Sequence, residues 1–204
     1  MERKEQIMHV SGDARDTFLK EEKLTSQEIY RGAVMHVTRD TVRLPNGKES
    51  VREVAWHNGA VAILPIFEDE SVLIEHQYRY AHGRVVKEIP AGKLDSPTED
   101  PLSAAKRELR EETGMTAKCW TDLGVTIPSV AILGERIRVF LAEGLTGGDF
   151  APDEDEFLHL ERIPFDELLA MVISGEIEDS KTQVATLKYE MIRQRKHEKE
   201  GRNK

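Results

Sequence analysis

The 204-residue sequence holds a single cysteine, Cys119, so no disulfide can form within the chain and a disulfide-stapled fold is excluded. Long apolar runs are missing as well. The longest, Ala60 to Phe67, is interrupted by Pro65 and falls far short of the roughly 20 residues that cross a bilayer, so no membrane-spanning helix is expected. There is no excess of positive charge: 29 Lys and Arg stand against 38 Asp and Glu, a formal net charge of −9, which disfavours a generic nucleic-acid partner. No apolar segment follows the charged stretch Met1 to Gln6, as a secretory signal would require, and a cytoplasmic location is expected. Internal repeats and low-complexity tracts are not found. The remaining composition, 39% hydrophobic and 33% charged, suits a globular protein with one sizeable core.

Pattern and punctuation divide the chain into four parts: 1–25, 26–58, 59–192 and 193–204. Met1 to Thr25 is polar, with scattered apolar residues that fit a short helix or an arm. Met35 to Arg43 alternates, Pro45-Asn46-Gly47 supplies turn chemistry and Val51 to Trp56 follows, which predicts a hairpin. Ala60 to Phe67, Ser71 to Tyr78 and Val85 to Ile89 are further β-rich runs. The period then changes. Leu102, Ala105 and Leu109 form a helical stripe, with Asp100 as N-cap, Pro101 at the first position and Gly114 as the stop. Strands are expected at Trp120 to Thr126, Arg136 to Glu143 and Glu156 to Arg162. A second helix runs from Pro164 through Ile173, and a third, capped by Asp179 or Ser180, runs past Met191. Strands on both sides of a central helix argue for an α/β sandwich. The basic residues after Tyr189 read first as a solvated, frayed end and second as a polyanion-binding tail.

The central helix carries an arrangement that local electrostatics does not favour. Glu108, Glu111 and Glu112 fall within a sector of roughly 100° beside the apolar stripe. Like charges at i, i+3 and i, i+4 each cost about 0.2–0.5 kcal/mol, and acids in the last turn oppose the macrodipole. One reading is a solvated face neutralised by Arg107 and Arg110. The other is a divalent cation, because hard oxygen ligands on one face suit Mg²⁺ or Mn²⁺ together with substrate phosphates. Zinc is disfavoured, since the seven histidines show no ligand spacing and Cys119 stands alone.

The string Gly92-Lys-Leu-Asp-Ser-Pro-Thr-Glu99 followed, seven residues later, by Arg107-Glu108-Leu109-Arg110-Glu111-Glu112-Thr113-Gly114-Met115 resembles the Nudix box. It differs in one respect: six residues rather than five separate Gly92 from Glu99, which should bulge the loop at Asp95 to Thr98. Glu75-His-Gln-Tyr-Arg-Tyr80, Glu88-Ile-Pro-Ala-Gly92, Phe140 to Glu143, Asp153 to Glu156, Ser174 to Ile177 and Asp179 to Thr182 extend the likeness to the branch of ADP-ribose pyrophosphatases and nucleoside-diphosphate-sugar hydrolases.

That resemblance implies a Nudix-type α/β/α sandwich with a mixed sheet, preceded by an N-terminal antiparallel β-sheet region used for dimerisation and substrate. It implies metal-dependent cleavage of ADP-ribose to AMP and ribose 5-phosphate, with GDP-mannose or ADP-glucose as the alternative substrate and a non-catalytic ADP-ribose-sensing module as the more distant one. Mg²⁺ is the implied cofactor, with Mn²⁺ as a substitute. Its implied ligands are Glu108 and Glu112, then Glu111, the Ala91 carbonyl and Glu99, while Arg107 orients a box carboxylate. Arg79 is the implied phosphate clamp. Arg52 is a second clamp or a sheet-surface charge, and Tyr30 stacks on adenine or packs in its strand. The family commonly carries Pro-Ser-Pro-Gly-Phe-Ser-Asp-Glu on a mobile loop whose last Glu activates water. Here the run is Pro128-Ser-Val-Ala-Ile-Leu-Gly-Glu135, which makes Glu135 the implied base and Glu111 or a box-bound water the alternative. A homodimer is expected, with Trp56 and the hairpin in its interface.

Overall fold

Ala60 to Ile66 is buried at every position, and its side chains alternate between two cores on opposite faces of a sheet. The computed structural model describes residues 14–147 and 157–202. The chain divides into two units, residues 1–57 with Ala131–Gly134, and Asn58–Val130 with Glu135–Lys204.

In the first unit a 3₁₀ turn (Ala14–Leu19) leads into a three-stranded antiparallel sheet of β1 (Glu22–Arg31), β2 (His36–Arg43) and β3 (Glu49–Trp56). The expected hairpin is β2 and β3, closed by a turn in which Gly47 adopts φ 80° and the Lys48 amide donates to Asn46 Oδ1. Strand β1 gives almost no signal in the sequence, because nearly all of it is exposed and no apolar alternation marks it. Residues 131–134 join this unit: the Ala55 amide donates to the Ile132 carbonyl at 2.9 Å and the Gly134 amide to the Ala55 carbonyl at 2.8 Å.

The second unit is built on a seven-stranded mixed sheet. Its strands are β4 (Ala60–Ile66), β5 (Ser71–Arg79), β6 (Arg84–Glu88), β7 (Ala91–Lys93), β8 (Met115–Thr126), β9 (Ile137–Gly147) and β10 (Leu158–Pro164). The order is β10-β5-β4-β9-β8, with β4 and β9 parallel, β6 beside β5 and β7 beside β4. Helix α1 (Pro101–Thr113) covers one face, where Val61 and Ile63 meet Ala105 and Leu109. Helices α2 (Phe165–Ser174) and α3 (Ser180–Arg202) cover the other, where Leu64 and Ile66 meet Leu168 and Ala185. The fold is a mixed α/β sandwich with a separate antiparallel N-terminal sheet, as the sequence implied.

Helix α1 starts and stops as its sequence predicts. Asp100 accepts the Ser103 amide at 2.9 Å, and Gly114 closes the helix at φ 67°. Strand β7 went unread because three residues after a proline carry too little pattern. Helix α3 continues past Tyr189 to Arg202, and the Arg193 guanidinium is held by Asp166 at 2.6 Å, Glu190 at 2.8 Å and Glu70 at 3.5 Å while lying over the Phe165 ring, whereas residues 194–196 are exposed. The stretches 1–13, 148–156 and 203–204, which include Asp153 to Glu156, lie outside the described residues. Among the described residues no helix is long and apolar enough to cross a membrane.

Gly114→Ala forces a Cβ into the left-handed region and should destabilise the protein by about 1–2 kcal/mol, read as a lower urea midpoint with an unchanged slope.

Candidate active site on the acidic face of helix α1

Glu108 and Glu112 lie one turn apart on α1 and are 8% and 2% exposed, an unusual placement for two carboxylates. Each is received by a residue of β7. The Glu108 carboxyl group lies against Gly92 so closely that a Cβ on Gly92 would stand 1.9 Å from Glu108 Cδ. The next position back, Ala91, donates its amide to Glu112 Oε2 at 2.9 Å. Gly92 is therefore required by close approach rather than by its backbone angles.

Arg107 gathers the other acids. Its Nη1 donates to Glu108 Oε1 at 2.7 Å and Glu111 Oε2 at 3.0 Å, and its Nη2 to the Lys93 carbonyl at 3.2 Å and Glu99 Oε1 at 3.4 Å. Burial works against the Arg107 charge, but Glu108 and Glu111 outweigh it, so the guanidinium is held above its ordinary range and stays protonated. The second oxygen of Glu99 accepts the Asp95 amide at 2.7 Å, and the Glu99 amide donates to the Ser96 carbonyl. This turn takes up the extra residue between Gly92 and Glu99.

The expected set of metal ligands is thus divided between two partners. Arg107 holds Glu99, Glu108 and Glu111, whereas Glu112 is held at Ala91, and among the described residues no three His, Cys, Asp or Glu side chains converge closely enough to hold an ion. The donor chemistry still fits a hard divalent cation. Carboxylate oxygens from successive turns of one helix face a strand whose Gly92 leaves room for one of them, and two of those acids are nine-tenths buried or more.

Glu135 lies two residues before Ile137, which pairs with Ala60, which in turn pairs with Lys93. It therefore enters the sheet at the same end as the box loop. Arg79 does not stand alone as a phosphate clamp: its Nε and Nη2 donate to Glu88 at 2.5 and 2.8 Å. Burial raises the Glu88 carboxyl, but Arg79 and Lys181 outweigh it and hold it below the usual range. In the first unit Arg52 forks onto Glu21 at 2.9 and 2.5 Å. Tyr30 is 57% exposed, with its hydroxyl folded over Gly32, so it is not the packed strand tyrosine. The Trp56 ring lies against Gly134, and its indole N–H donates to Thr38.

Two features escaped the sequence reading. Glu88, Lys181 and Thr182 belong to stretches that matched the family, but no role was assigned to them. The second is a cavity of about 300 Å³ lined by Ile66, Phe67, Tyr189, Arg193 and Lys196 among others. It sits at the far end of β4 from Ala60, and no box residue lines it.

Residues 56–183 match the NUDIX domain, and residues 21–55 match the Nucleoside diphosphate sugar hydrolase N-terminal domain. The chain belongs to the Nudix family. This Nudix protein is 38% identical to an ADP-ribose pyrophosphatase of Bacillus subtilis, over 82% of the chain and 91% of the relative. It is 37% identical to a methanol dehydrogenase activator of Bacillus methanolicus, over 87% and 97%. It is also 37% identical to an ADP-ribose pyrophosphatase of Mycobacterium tuberculosis, over 78% of each. The solved structure of an ADP compounds hydrolase shares the fold with a TM-score of 0.75 at 23% identity, covering 84% of this chain and 93% of the other. Nudix hydrolases generally depend on a divalent metal.

In this Nudix hydrolase Gly92→Ala must push the Glu108 carboxylate out of its seat. Turnover should fall about a hundredfold, as expected for a displacement of an ångström or more at a reaction centre. The melting temperature should move little, because only the end of a flexible side chain has to shift. Steady-state kinetics and calorimetry on the same sample check both.

Proposed function

We propose that the protein hydrolyses the diphosphate bond of ADP-ribose, giving AMP and ribose 5-phosphate. The observation that carries this reading is the seating of two buried box carboxylates on Ala91 and Gly92, in a chain whose relatives include ADP-ribose pyrophosphatases. Water adds to one phosphorus, the bridging P–O bond breaks and the displaced phosphate leaves with the bond electrons.

Glu108 and Glu112 would hold a divalent cation, Mg²⁺ first and Mn²⁺ as a substitute, with Glu111, Glu99 and the Ala91 carbonyl beside them. When bound, that cation neutralises the diphosphate and eases deprotonation of water. Arg107 keeps Glu99, Glu108 and Glu111 gathered. Glu135 is assigned as the base that takes the proton of the attacking water, with Glu111 as its competitor. Arg79 is assigned to a substrate phosphate, reached from its place on Glu88. Arg52 and Tyr30 are assigned to phosphate and adenine, Tyr30 on the strength of its exposed ring. Free, exposed Cys119 suits a reducing cytoplasm. The apolar residues exposed on the N-terminal sheet, among them Ile29, Tyr30 and Val51, suit a homodimer.

Purified protein with Mg²⁺ should release AMP from ADP-ribose, and Glu112→Gln should release none above background, both read by chromatography. A panel that includes GDP-mannose and ADP-glucose ranks substrates. Absence of turnover on every nucleoside diphosphate derivative would overturn the proposal.

A further inference from the structure

Between β6 and β7 the chain changes neighbours, since β6 pairs with β5 and β7 with β4. Ile89, Pro90 and Ala91 carry it across. Every buried backbone amide needs a partner, and here the partners are side chains. The Ile89 amide, fully buried, donates to Thr182 Oγ1 at 2.9 Å. Pro90 has no N–H, and its carbonyl accepts from the Ile63 amide at 2.8 Å. The Ala91 amide goes to Glu112. The crossing is thus held on one side by α3 and on the other by the acidic face of α1.

The α3 side of this clamp is built with care. Thr182 donates its hydroxyl proton to Asp179 Oδ2 at 2.6 Å, which turns an oxygen lone pair towards Ile89. The same carboxylate accepts the Thr182 amide at 2.9 Å as the helix cap. Lys181, 7% exposed, bridges Asp179 at 3.1 Å and Glu88, whose other contact is the Arg79 fork. Buried ion pairs contribute little net stability compared with apolar residues of the same volume, so this network is better explained by the position it fixes than by the energy it adds. That position is the start of β7. Pro90, with φ set by its ring, leaves little slack between Ile89 and the seat of Glu112.

We propose that Thr182, steadied by Asp179 and Lys181, is a positioning residue for the box: the first turn of α3 fixes the crossing at Ile89 to Ala91 and, through it, the place of Glu112. This inference rests on the reading of the acidic face as the reaction centre, and its test is arranged to separate the two.

Thr182→Val keeps the shape and removes the acceptor, and Thr182→Ser restores it. The control is Thr186→Val, one turn further along α3, where the buried hydroxyl has no hydrogen-bond partner among the described residues. In metal-free protein, amide exchange at Ile89 and Ala91 should quicken about tenfold in Thr182→Val and stay at the parental rate in the other two. With Mg²⁺ and ADP-ribose, kcat should fall about tenfold or more with KM within about twofold, and the Mn²⁺ concentration for half-maximal rate should rise. Should Thr182→Val not fold, Thr182→Ala carries the same readouts. Unchanged exchange, a loss confined to KM, or an equal loss in Thr186→Val overturns the inference. If the parent itself turns nothing over, the functional reading fails, and the exchange rates alone decide whether Thr182 holds the crossing.

Discussion

The guanidinium of Arg107 is the charge on which the acidic face depends. Glu99, Glu108 and Glu111 approach one another because two of its nitrogens stand between them, and Nη1 alone serves Glu108 and Glu111. Repulsion between like charges on a helix is small per pair in water, but Glu108 is removed from water, where each unit of charge weighs more. Arginine suits this place because its planar fork offers several donors in fixed directions and keeps its proton under any ordinary condition. The acids are thereby held close to β7.

The sheet supplies the other half of the arrangement. Strand β7 is only three residues long, yet it carries the amide that meets Glu112 and the bare Cα that admits Glu108. It is set down on β4, whose apolar residues anchor both layers of the sandwich. Glu108 and Glu112, carried on α1, thus meet a strand that pairs with the fully buried β4.

Much of this was legible beforehand. The period of 3.6 in Leu102, Ala105 and Leu109, with a capping acid before it and a glycine after it, is a local signal, and α1 depends on local terms. The box spacing placed Glu108 and Glu112 on one face in the same way. What the sequence did not disclose was long-range. Strand β1 is held by pairing with β2 rather than by an apolar stripe, and β7 by pairing with β4. The partner of Arg79 is nine residues away in the chain and that of Lys181 ninety-three, so neither the fork onto Glu88 nor the clamp from α3 leaves a mark in any short window. Residues 131–134 carried a departure from the family pattern, and their bonds to Ala55 belong to the same class of contact.

The alternation along β4 sets different rules for length in two neighbouring stretches. Between Gly92 and Glu99 the chain takes an additional residue into a surface turn and the acids keep their seats. A residue added within Ala60 to Ile66 would exchange the two faces of the strand beyond it, sending side chains shaped for α1 towards α3 and the reverse. The loop that leads into α1 thus accommodates its added residue in a turn, while the span of β4 is locked by parity.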